Sequence, residues 1–292
     1  MRDFSQDHRW LSINTATVRK SRGVDLPLPQ IVEACVRKGI RAISPWRDQV
    51  QAAGLAEISR LVRAHDLALS GYCRGGMFTA VDAAGLKAAR DDNRRAVDEA
   101  AELNAACLVL VVGALPGALQ GKPAHKDIAL ARSQVRDGIA DLLDYARQAR
   151  MPLAIEPLHP MYAADRACIN TLEQALDVCD EVDPGKSGAI GVAVDVYHVW
   201  WDPKLQQQIA RAGRERLLAL HVCDWLTPTT DLLNDRGMMG DGVIDIPQIR
   251  GWVEAQGFAG YSEVEIFSTG NWWQRAHDEV LDTCIARHKT AV

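Results

Sequence analysis

Eight short apolar runs, each followed by a longer stretch of helical period, constrain this chain more than any other feature of its sequence. The runs are WLSIN, RAISPW, LALSGYC, CLVLVVG, PLAIEPL, IGVAVDV, LALHVCD and SEVEIFS. Between them lie helix-like segments such as LPQIVEACVRKG, DIALARSQVRDGIADLLDYARQA and IPQIRGWVEAQG, several of which begin near Pro or Asp and stop at Gly. Eight strands alternating with eight helices predict an α/β fold, a single (β/α)8 TIM barrel whose functional side chains gather at the C-terminal ends of parallel strands. An open doubly wound sheet would show the same alternation. The glycine-rich CRGGMF and GALPGALQG follow strands, but neither matches the dinucleotide fingerprint or the phosphate-cradling G-x-x-x-x-G-K-[ST] pattern, so no nucleotide site is read.

The 292 residues are 48% hydrophobic, enough for one large core, and no linker splits them, so one domain over 1–292 is expected. A net charge of -5 argues against nonspecific attraction to nucleic acid or an anionic membrane, which leaves a small molecule as the expected partner. The seven cysteines are scattered and form no C-x-x-C pair, which indicates neither a disulfide framework nor a structural zinc site. The start, MRDFSQDHRW, lacks the apolar core of a secretory signal, and no segment has the run of about 18 apolar residues that a membrane span needs. A cytoplasmic location is expected.

Four consecutive strands end in metal-ligand residue types. Glu156 closes the fifth, Asp195 closes the sixth, His221 lies in the seventh and Glu265 in the eighth. A lone strand-end carboxylate also serves as a helix cap or ion-pair partner, and a lone histidine as a hydrogen-bonded core residue. Four in successive strands point to one shared site, because a ring of strands brings their ends together. Carboxylates converging in apolar surroundings repel one another and resist burial, and a divalent cation resolves both costs. Three carboxylates and one imidazole suit Mn²⁺, Mg²⁺ or Co²⁺ better than a sulfur-rich site would, with Zn²⁺ also accommodated.

The series AIEPLHP, GVAVDVYH, LALHVCDW, RGMMGDGVIDIPQI and SEVEIFS resembles the xylose isomerase-like TIM-barrel superfamily, specifically its sugar isomerase/epimerase branch, which includes ketose 3-epimerases. The resemblance covers nearly the whole chain. It implies that Glu156, Asp195, His221 and Glu265 ligate the metal and that Glu156 and Glu265 exchange a proton across a substrate carbon. It also implies that His198 and Arg236 bind substrate oxygens. In one place the sequence departs from the pattern: ketose 3-epimerases carry a further glutamate six residues after the first ligand, and Tyr162 stands there.

A divalent ion chelating a carbonyl and its neighbouring hydroxyl stabilises the enediolate left when the adjacent carbon loses a proton. Returning the proton to the other face gives an epimer, returning it to the neighbouring carbon gives an isomer, and a leaving group β to the carbanion turns the same route into elimination. The expected activity is therefore a metal-dependent isomerase or epimerase of a ketose or related keto-sugar. The alternative is a lyase acting on a 3-keto-sugar or 3-keto-glycoside, with His159, three residues after a candidate ligand, as its base. More distant is an endonuclease IV-like phosphodiesterase. Trp46 and Arg47 after the second strand, and Cys73 and Arg74 after the third, are candidates for the wall of a sugar pocket or for ordinary packing. The long connection LTPTTDLLNDRGMMGDGVID reads as a cover over the site. A homo-oligomer is left open.

Overall fold

The computed structural model describes residues 1–292. Its main sheet is a ring of parallel strands: β1 (Leu11–Asn14), β2 (Ala42–Ser44), β3 (in two segments, Ala68–Leu69 and Tyr72–Gly75), β4 (Leu108–Leu110), β5 (Leu153–Ile155), β6 (Ile190–Asp195), β7 (Leu217–Val222) and β8 (Ser262–Val264). The first segment of β3 pairs with β2 and the second with β4, while β1 pairs with both β2 and β8. Because both segments belong to one strand, the ring closes as a TIM barrel. An open sheet would leave two edges, and none remains.

Alternation along each strand sorts the side chains into two populations. Leu108 and Leu110, Leu153 and Ile155, and Val192 and Val194 point outward into one core shared with the surrounding helices. The residues between them, Val109, Ala154 and Ala193, join Cys107 and Ala219 in a separate cluster inside the barrel. These inner side chains are small, as the narrow interior requires. Continuing the same alternation by two residues leads from Ala154 to Glu156, from Ala193 to Asp195, and from Ala219 to His221. The inward face thus changes from apolar to ionisable at the C-terminal mouth.

The helices begin where the sequence signals placed them. Asp82, Asp127, Thr171 and Asp245 each accept a backbone N–H from the first turn of the helix they precede, and each such cap contributes about 1 kcal/mol. Among the α-helices, sequence reading passed over two short ones: Arg47–Ala53 after β2 and the single turn Val196–Val199 after β6. The seven cysteines are all unpaired and buried, and no helix is long and apolar enough to cross a membrane.

Candidate metal centre and cavity

Strand register assembles the centre. Asp195 lies opposite His221, and His221 opposite Glu263, across three neighbouring strands. The β6–β7 pairing shifts between Leu217 and Ala219, where Gly191 passes so close to the Arg216 carbonyl that a Cβ would collide with it. Glu156 and Glu265 each sit just past a strand end, and their backbone N–H groups still bond the adjacent strand at Leu110 O (3.1 Å) and Val222 O (3.2 Å). One donor atom each from Glu156, Asp195, His221 and Glu265 lies within 4.8 Å of the others, and all four residues are buried.

Asp195 caps a turn with one oxygen, Oδ1 accepting the Tyr197 N–H (2.8 Å), and turns the other, Oδ2, toward the cluster. Arg236 Nη1 donates to Asp195 Oδ2 and to Glu265 Oε2, both at 3.1 Å. His221 Nδ1 lies 3.0 Å from Glu156 Oε1, and its Nε2 lies 3.5 Å from Glu263 Oε1. Burial disfavours the His221 charge, yet Glu263 and Glu156 outweigh it and hold the imidazole pKa well above its ordinary value. Burial likewise opposes the Asp195 charge, and Arg236 followed by His198 overcomes it to keep that carboxyl below the usual range. Glu156 and Glu265 go the other way: burial raises both, Glu265 to about 8 against the pull of Arg236.

These residues fit a divalent ion. His221 Nε2 is buried with no partner inside hydrogen-bonding distance, and the carboxylate nearest to it is that of Glu263. A carboxylate behind the remote ring nitrogen is the arrangement that keeps a proton there and frees Nδ1 to ligate. Three carboxylates and one imidazole are hard and borderline donors, matching the oxygen-rich set expected from sequence.

His198 and Arg236 form a second constellation beside the first. The His159 backbone N–H donates to His198 Nδ1 (3.1 Å), and burial holds the imidazole pKa down to about 3. Neutral, with Nδ1 accepting, the ring carries its proton on Nε2. That nitrogen lies 3.0 Å from Arg236 Nη2, which is also a donor. Two donors facing each other call for a third group that accepts from both, such as a carbonyl or hydroxyl oxygen.

A cavity of about 140 Å³ opens onto these groups, lined by Glu156, His198, Arg236 and Glu265 and walled in part by Trp46 and Phe267. The Trp46 indole N–H donates to Asn14 Oδ1 (2.7 Å), and its ring meets Phe267 edge-on. A larger open groove of about 700 Å³ beside Arg19, Leu26 and Asp48 contains none of the four clustered residues.

His159 is placed differently from its neighbours in the expected site. Its ring stacks on Trp225 at 4.9 Å and meets Trp201 edge-on, its Nδ1 accepts the Met161 N–H, and it is absent from the cavity lining. Its contribution to the site is its backbone N–H. Arg47 is likewise turned away, bound to Asp92 and Glu99. The long connection after β7 is ordered: Asp224–Trp225 pairs antiparallel with Arg236–Gly237, which fixes Arg236 over the centre, and Leu233 reaches the cavity. Sequence reasoning missed Glu263 and its partners Asn14 Nδ2 (2.8 Å) and Ser70 Oγ (2.7 Å). The signal was present in SEVEIFS, where two glutamates two apart on a strand must share a face.

A family model described as xylose isomerase-like TIM barrel matches residues 32–284. The crystal structure of protein SMc04130 from Sinorhizobium meliloti 1021 is 59% identical, with 97% of this chain and 98% of that one covered at a TM-score of 0.90. The IOLI protein, crystallised with a bound zinc atom, is 18% identical over 94% of each chain (TM-score 0.76). The 3-keto-D-glucoside 4-epimerase YcjR of E. coli is 15% identical over 94% of this chain and 97% of its own (TM-score 0.70). At those two lower identities the likeness is one of fold. No curated protein matches the sequence.

Proposed function

This chain belongs to the xylose isomerase-like TIM-barrel family, and on that premise we propose that it is a divalent-metal-dependent isomerase or epimerase acting on a keto-sugar. The observation that carries this reading is the pair Glu156 and Glu265, which line one cavity and belong to one cluster of donor atoms. Glu156, Asp195, His221 and Glu265 are the proposed ligands, with Mn²⁺ favoured and Mg²⁺, Co²⁺ or Zn²⁺ as alternatives. When bound, the ion supplies the Lewis acidity that makes a proton beside a carbonyl removable near neutral pH.

The chain's own groups handle the proton. One of the two glutamates takes it from carbon, and the other returns it on the opposite face to give the epimer. Return of the proton to the neighbouring carbon gives the isomer instead. Burial strengthens both carboxylates as bases by raising their pKa values. His198 Nε2–H and Arg236 Nη2–H converge where a substrate oxygen would accept from both, and Trp46 with Phe267 keeps water from one side of the cavity. Epimerisation is preferred to elimination because the lyase route gives the base to His159, whose ring is committed to Trp225 and the Met161 N–H. A phosphodiesterase reading needs further histidine ligands, and His221 is the one histidine in the cluster. The proposal extends to one domain over residues 1–292 working in the cytoplasm, which the seven unpaired cysteines support.

The test is product analysis of the metal-loaded protein in D₂O with panels of ketoses, aldoses and 3-keto-glycosides. An isomerised or epimerised product carrying deuterium at the reacting carbon is expected. Glu156→Gln and Glu265→Gln should each lower turnover and exchange by about 10²- to 10⁴-fold. Full activity in both variants sinks the two-glutamate mechanism, and an unsaturated product transfers the assignment to the lyase.

A further inference from the structure

The cavity also holds two guanidinium groups that form no ion pair within the protein. Arg74 lies on β3 beside Cys73, Arg166 lies in the connection that follows Glu156, and both line the cavity half-buried. Their close neighbours are aromatic rings: Arg74 is 5.9 Å from the Trp46 centroid and Arg166 is 5.7 Å from that of Tyr162. Every other arginine that is not exposed has an acidic oxygen within ion-pair range, from Arg2 on Glu254 and Arg19 on Asp48 to Arg216 on Asp183. Arg236, the third arginine of the cavity, is already shared between Asp195 and Glu265.

Leaving two like charges partly desolvated without a contacting counter-charge is costly: Met77, Val111 and Leu158 in the same lining are apolar, and Glu156 and Glu265 are engaged with His221 and Arg236. Burial, and then the nearby Arg166, push the Arg74 guanidinium pKa below its ordinary value. The Tyr162 hydroxyl, buried in the same lining, has no hydrogen-bond partner either. Two guanidinium forks and one hydroxyl are thus donors whose side chains reach no acceptor in the protein. Phosphate and carboxylate are the groups whose geometry such forks match.

We propose that Arg74, Arg166 and the Tyr162 hydroxyl form an anion subsite, so that the substrate is a keto-sugar bearing a phosphate or carboxylate group in addition to its carbonyl. The keto-sugar part rests on the proposed function, whereas the anion rests on the unpaired cations alone. The substrate's charge takes the place of the missing ion pair, and its uncharged counterpart would leave both cations desolvated.

The test is calorimetric titration of the full, metal-loaded chain at constant ionic strength with D-fructose, D-fructose 6-phosphate and D-fructuronate, and with inorganic phosphate and acetate alone. At least one charged ligand should bind about 10- to 100-fold more tightly than its uncharged counterpart, the range of a charge-assisted contact. Whether the phosphate or the carboxylate members gain tells which group the subsite takes. Arg74→Gln/Arg166→Gln should abolish the preference, and Arg74→Lys/Arg166→Lys, which keeps both charges, should retain part of it. Equal loss in the two double variants overturns the proposal, as does a wild-type protein that binds no anion better than the neutral sugar. If no sugar is converted while phosphate or acetate still binds in an arginine-dependent way, the subsite stands and the isomerase reading falls.

Discussion

The two halves of the barrel mouth are built alike and end differently. Strands β5 to β8 deliver Glu156, Asp195, His221 and Glu265, a buried acidic patch offset by Arg236. Strands β1 to β3 deliver Asn14, Ser44 and Arg74, with Trp46 just beyond β2, and no carboxylate among them. One half therefore concentrates negative charge where a cation resolves it, while the other presents an amide, a hydroxyl, an indole and a free cation. Under the proposed function the contrast becomes a division of labour: strands β5 to β8 would hold the metal and the proton-transfer groups, and strands β1 to β3 would receive the body of the substrate. Metal affinity is the measurement that separates the halves, because it should respond to changes in one and ignore changes in the other.

The largest loss is expected at Asp195. Asp195→Asn removes a charge that Arg236 holds at 3.1 Å and leaves that guanidinium with Glu265 alone. Competition with a chromogenic chelator should show metal retention weakened by more than the roughly 100-fold typical of an outer-shell change. Undiminished stoichiometry and affinity in this variant would end the metal assignment and, with it, the contrast between the halves.

Glu263 comes next. Its side chain accepts from Asn14 Nδ2 and Ser70 Oγ and faces His221 Nε2, so every neighbour is a donor and the carboxylate is acceptor-only. Glu263→Gln introduces an NH₂ that must confront one of these donors, and it withdraws the charge that fixes the His221 proton on Nε2. Metal affinity should fall by about 10- to 100-fold with the barrel still folded. An affinity equal to wild type would mean that His221 is oriented by its strand alone.

How much of this was legible in the sequence follows from the same geometry. The barrel could be read because each βα unit repeats one local pattern of apolar run, helix and cap, and local patterns are what a sequence shows. Glu156, Asp195, His221 and Glu265 could be read because parallel strands in a ring bring equivalent positions together. His159 could not. Its spacing from Glu156 gave no hint that Pro160 would begin a short 3-10 turn and direct the imidazole onto Trp225. Arg47 was equally opaque, since its partners Asp92 and Glu99 are 45 and 52 residues away on another helix. The cover over the site was visible as an overlong connection, but the pairing of Trp225 with Arg236, which points the arginine at the centre, is a long-range register with no local signature.

The smallest effect should come from the first half, and it is the most discriminating. The hydrogen-bonded link from Trp46 to the metal side runs through Asn14: the indole N–H donates to Asn14 Oδ1, and Asn14 Nδ2 donates to Glu263. Trp46→Ala removes the first link, yet Asn14 Oδ1 keeps the Ala16 N–H at 3.1 Å, so the amide stays oriented and its bond to Glu263 survives. Metal affinity should therefore change by no more than about twofold, the scale on which weakly coupled sites add. Binding of a substrate should weaken instead, appearing as a raised KM with kcat little changed, because an aromatic wall contacts ground state and transition state alike. If Trp46→Ala weakened the metal as much as Glu263→Gln does, the Asn14 bridge would be transmitting the loss. The two halves would then be one coupled network and not two compartments meeting at the barrel mouth.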